Sequence, residues 1–156
     1  MHLLLPVLIL LLMAAIAHHL WNNSPSLPHT AGSWGAPANS DPRVAAAAML
    51  CCVASASGSP PAGAAEQIQS LLSGTLDMTP EDARNCFKGG KQLARRLKGN
   101  LNSKLHQLRG PIERRCSPQE KQDVVDMLHA LAGKNVERVP SVREALGRIS
   151  ASLLHD

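Results

Sequence analysis

Beyond Trp34 this chain has a single aromatic residue, Phe87, and tyrosine is absent throughout. Any core must therefore be assembled from Leu, Val, Ile, Ala and Met. Sheets draw on aromatic and β-branched side chains to cover a pleated surface, so this supply favours helices packed on helices. The expected fold class is all-α: a small antiparallel bundle of about four helices behind a disordered N-terminal segment. The same scarcity removes the aromatic platforms on which single-stranded nucleic acids stack, and no nucleic-acid partner is expected.

Local signals place the four helices within residues 64–156. Ile68, Leu71 and Leu72 share a face of a helix expected over 64–73, with Gly74 as its terminator. Thr79-Pro80-Glu81-Asp82 reads as an N-cap, a proline at the first helical position and two acids at the positive helix end. Gly89-Gly90 is expected to weaken or break that helix. Leu93, Leu97, Leu101, Leu105 and Leu108 then keep helical spacing on one face, shared by Cys86, until Gly110-Pro111 stops it. Lys91, Arg95, Lys98 and Asn102 take the opposite face. Ser117-Pro118-Gln119-Glu120 is a capping box that turns Val124, Val125, Leu128 and Leu131 inward. A second box, Ser141-Val142-Arg143-Glu144, opens a last helix with Val142, Ala145, Leu146, Ile149 and Leu153 inward. Short connections favour antiparallel neighbours.

Two apolar runs precede this region. Leu3 to Ala17 has the length of a signal-peptide core and ends in Ala15-Ile16-Ala17, a small-x-small pattern. Residues 1–17 are read as a cleaved leader, which makes the protein secreted and extracellular. Residues 18–63 form a segment rich in Pro, Gly, Ser and Ala, with Asn22 as a glycosylation acceptor in Asn22-Asn23-Ser24. Inside it, the run at 44–56 follows Arg43 and ends in Ala54-Ser55-Ala56. It is either a short Ala-rich helix or a second leader element, and on that depends whether Cys51 and Cys52 persist in the mature protein.

Export permits disulfides. Adjacent cysteines seldom pair, because the geometry is strained, so Cys86–Cys116 is the expected bond, closed by a hairpin of their two helices. A loop of that length gives a stabilisation of roughly 3–4 kcal/mol in the chain-entropy model. No CxxC, CxxH or HExxH spacing is present, so no metal and no cofactor are expected. His106 and His129 stand in no recognisable relation to a nucleophile, and phosphate-loop, nucleotide and hydrolase motifs are missing. The expectation is not an enzyme.

The charge is segregated. Between Cys86 and Cys116 lie nine cations, namely Lys88, Lys91, Arg95, Arg96, Lys98, Lys104, Arg109, Arg114 and Arg115, against the single acid Glu113. The rest of the chain has seven Lys and Arg against eleven Asp and Glu. A basic helix presenting Lys91, Arg95, Lys98 and Lys104 would steer toward an acidic extracellular protein or cell-surface receptor. The exported helical plan resembles that of short helical cytokines, although no motif is matched residue by residue and no functional residue is carried over. Two alternatives use the same architecture: an extracellular carrier with a small hydrophobic ligand in a Leu-lined bundle, and a cationic protein that binds a membrane surface or an anionic glycan.

Overall fold

The computed structural model describes residues 41–133 and 139–155. The leader at 1–17, Asn22 and the tail up to residue 40 lie outside the described residues. Six helices stand among those described: α1 (Pro42–Ala54), α2 (Ala64–Thr75), α3 (Pro80–Arg96), α4 (Leu101–Arg115), α5 (Pro118–Ala132) and α6 (Pro140–Leu154). The fold is all-helical, with two more helices than the four read from the sequence.

One extra helix is α1, the run read above as either a short Ala-rich helix or a second leader element; it is a helix. It is opened by Asp41, whose Oδ1 accepts from the Arg43 N–H at 2.9 Å, and by Pro42 in the first turn. Every residue from Ala45 to Val53 is buried. Helices α2, α3, α4 and α5 all pack on it, so it is the axis of the bundle, and the core begins at Ala45 rather than at residue 64. A helix enclosed on all sides needs to be apolar all round, which is why this run shows no amphipathic period.

The other extra helix comes from where the basic stretch breaks. Helix α3 runs straight through Gly89-Gly90. A β-carbon on Gly90 would sit 2.6 Å from the Ala47 Cβ and from the Ala48 backbone nitrogen; Gly90 is thus the point at which α1 and α3 touch backbone to backbone. The chain leaves the helix instead at Leu97, which is extended, and turns at Gly99 with φ +104°. Asn100 then caps α4 by accepting from the Ser103 N–H at 2.9 Å. Helix α4 passes through Gly110-Pro111 and ends at Arg115; Pro111 is buried inside it.

The predicted caps of α3 and α5 form. Thr79 accepts from the Asp82 N–H at 3.1 Å, and Ser117 and Glu120 exchange both bonds of a capping box. The box at Ser141 does not: α6 begins one residue earlier, at Pro140, with Val139 in the cap position and no side-chain cap bond. Glu144 turns to Arg148 instead, at 2.6 Å. The inward faces read from periodicity are buried at Ile68, Leu72, Leu93, Leu105, Leu108, Val124, Val125, Leu128, Val142, Ala145, Leu146, Ile149 and Leu153.

The expected Cys86–Cys116 bond is absent, and all four thiols are free. The sequence reading assumed a hairpin of the helix that carries Cys86 and the helix that begins just after Cys116. In the structure, α3 packs on α1 and α2, while α5, the helix that follows Cys116, packs on α1, α2 and α6. The two helices thus meet α1 without forming a hairpin with each other, and Cys86 and Cys116 are each only half-buried.

Candidate ligand cavity

Where α1 ends, the bundle opens. The chain leaves the axis through a turn at residues 55–63 that contains Pro60 and Pro61 and enters α2 through Gly63, at φ +80°. The turn, the starts of α2, α4 and α6 and one side of α3 surround an open cavity of about 850 Å³. Its floor is apolar. Cys51 and Cys52 come from α1, Ala64 and Ile68 from α2, Phe87 and Ala94 from α3, Leu101 from α4 and Ala145 from α6. Small side chains predominate, so the space is a consequence of packing alanines where bulkier residues would close it.

The rim is charged. Lys91 and Arg95, one helical turn apart on α3, line it together with Lys104 from α4 and Arg148 from α6. Three of the four basic residues singled out from the sequence therefore converge on a single opening, although they arise from two helices and not one continuous face. Lys98 lies in the exposed connection between α3 and α4 and is not part of the lining. Lys91 is further placed by Phe87, its Nζ standing 5.8 Å from the ring centroid, within cation–π range.

The cations are not equivalent. Arg148 is answered by Glu144, which also lines the cavity. Among the described residues, no carboxylate pairs with Lys91, Arg95 or Lys104. Glu66, in the first turn of α2, is the remaining acid of the lining.

The thiols on the floor are chemically quiet. Burial pushes the Cys51 thiol up to about 11, the neighbouring Cys52 adds to the rise, and Lys91 opposes it. Burial raises Cys52 too, against the pull of Lys104. A thiol that keeps its proton is a poor nucleophile, so these residues furnish apolar surface rather than reactivity. Cys86, raised to about 11 mainly by burial, and Cys116 behave alike. Among the described residues, no three His, Cys, Asp or Glu side chains are grouped as a metal would need, and no helix is long and apolar enough to cross a membrane.

Sequence reasoning singled out Lys91, Arg95 and Lys104 as partner-binding residues, and they line the cavity, but it did not single out the floor or Arg148. The signal for the floor was Asp41-Pro42, a cap and first-turn proline ahead of Val44, which marks the run as a folded helix. Arg148 offered no such signal, because its place depends on how α6 crosses α4. Neither a family model, nor a curated protein, nor a solved structure matches this chain. Fold and site together describe an all-helical bundle around a buried axis, with a cation-rimmed apolar cavity at one end of it.

Proposed function

We propose that this protein is a non-catalytic binding protein, secreted, whose cavity takes up a small molecule with a largely apolar body. The observation that carries the reading is the cavity itself: its volume falls in the roughly 300–1,000 Å³ range of small-molecule sites, and its apolar floor with a few converging polar groups is their usual make-up. The test is titration with the neutral fluorescent probe N-phenyl-naphthylamine. Saturable binding is expected in the wild type. Ala94→Phe, which projects a ring into the space from α3, should abolish most of it while leaving the thermal midpoint nearly unchanged. Absence of saturable binding, or binding indifferent to Ala94→Phe, overturns the reading.

A second reading has its own support. Lys98, Arg96, Arg114 and Arg115 are exposed and lie away from the cavity lining. Together with Lys91, Arg95 and Lys104 they present a cationic surface suited to an acidic extracellular partner such as a receptor, an anionic glycan or a membrane surface. Binding of that kind should weaken steeply with salt, since screening limits exposed charges to a reach of about 10 Å at 0.1 M. Salt-insensitive retention on heparin and on an acidic peptide column would dismiss it.

A further inference from the structure

Resting on the cavity reading above, we propose that the natural ligand is an acidic single-chain amphiphile, a long-chain carboxylate or phosphate monoester, whose acid group sits between Lys91, Arg95 and Lys104. Three cations with no ion-pair partner among the described residues stand on the rim of an apolar hollow, while the fourth, Arg148, is already matched by Glu144 at 2.6 Å. Against them Glu66 is, among the described residues, the only acid of the lining without such a partner. The electrostatic demand at the rim is therefore for an anion.

The anion's surroundings set what is attached to it. Lys91 and Lys104 approach the floor from α3 and α4, close enough for their charges to act on Cys51 and Cys52 respectively. An acid held by them has its tail directed over Cys51, Cys52, Ile68 and Ala145. These are aliphatic or thiol surfaces, and Phe87 is the one aromatic ring of the lining among the described residues, itself covered by Lys91. A flexible alkyl chain makes good dispersion contacts on such a surface. A fused-ring ligand would want aromatic faces to stack on, and the described lining has none to spare. Charge-assisted hydrogen bonds to a carboxylate or phosphate are about twice as strong as neutral ones, so the head should contribute selectivity that the tail cannot.

The experiment is displacement of N-phenyl-naphthylamine from the full-length protein by five competitors below any micelle threshold: dodecanoate, monododecyl phosphate, dodecanol, acetate and inorganic phosphate. The two acidic chains should compete about tenfold or more better than dodecanol, and acetate and phosphate should not compete. The combined variant Lys91→Gln, Arg95→Gln, Lys104→Gln should lose that advantage yet keep dodecanol affinity, and Arg148→Gln should change little. If the combined variant fails to fold, as judged by circular dichroism, each single variant should lose part of the advantage. Equal competition by dodecanol and dodecanoate overturns the acidic ligand and leaves the apolar cavity standing; no competition by any chain removes both. Displacement by inorganic phosphate alone would make the rim a free-anion site and overturn the proposal. So would displacement by an acidic peptide, or a concentration-dependent dimer that excludes the probe, each of which assigns the cavity to a protein.

Discussion

Helices α1 and α3 touch backbone to backbone and are otherwise opposites. Helix α1 is enclosed on every side and carries no charge after Arg43. Helix α3 turns Arg84, Lys88, Lys91, Arg95 and Arg96 outward and buries only Ala83, Gly90 and Leu93. The amphipathic helix announces itself in sequence, because one face differs from the other. The helix it packs against has no faces to compare. What the pair teaches is that the conspicuous half of a contact can be read alone, and can then be credited with a role that belongs to both halves.

The strongest way to break this comparison is to damage the axis. Leu50 is fully buried, and Leu50→Ala is expected to cost roughly 2–5 kcal/mol through lost burial and the cavity left behind, measured by urea denaturation. A midpoint close to wild type would remove α1 from the core.

Two neighbouring glycines sharpen it. Gly90→Ala gains about 1 kcal/mol of helix propensity yet forces α1 and α3 apart, so a net loss of about 1–3 kcal/mol is expected, as overpacking usually brings. At Gly89 the new β-carbon would meet the Val44 side chain at 3.4 Å, an ordinary contact, so Gly89→Ala should stabilise by up to about 1 kcal/mol. Equal signs for the two variants would show that the close approach does not exist.

Alkali probes the same contrast through the thiols of each helix. Cys51 on α1 and Cys86 on α3 are raised from 9.0 to about 11. Between those values the unfolded chain has released protons that the folded one retains. Stability should thus be fully present below about pH 9 and decline as pH rises toward 11, with the decline reduced in a Cys51→Ala, Cys86→Ala variant. A thermal midpoint that is flat across that window would contradict the burial of these groups.

The smallest effect is expected on the basic side. Replacing Lys91, Arg95, Lys98 and Lys104 together by Gln should shift stability by no more than about 0.5 kcal/mol per site, because none holds an ion pair among the described residues. A large loss would mean that these side chains support α3 and α4 through their aliphatic stems.

The sequence was informative wherever a local cause decides the outcome. Thr79-Pro80 and Ser117-Pro118 set helix starts through their own hydrogen bonds, and Leu93, Leu105 and Leu108 set inward faces through spacing alone. It misled where a distant partner decides. Gly89-Gly90 reads as a breaker until Ala47 is known to lie against it, and Ser141 reads as a cap until Glu144 turns out to be committed to Arg148. Pro111 is accommodated inside α4, where it is buried with Ile112. The site divides in the same way: the cations on α3 and α4 are local facts, whereas the hollow between them exists only after five helices have met.

The placement of α1 also bears on how the molecule is made. The axis is the first of the described helices to leave the ribosome, while the helices that enclose it follow across the rest of the chain. Until α3, α4 and α5 arrive, nine consecutive apolar residues have no covering. Long-range contacts of this kind slow folding, and exposed apolar surface during synthesis invites association with other chains. The small size of Ala45, Ala46, Ala47 and Ala48 softens that exposure: a run of alanines shows less apolar area than the same length of leucine and forms helix readily by itself. The residue type that lets the finished bundle close so tightly is also the one that makes an uncovered axis tolerable while the chain is incomplete.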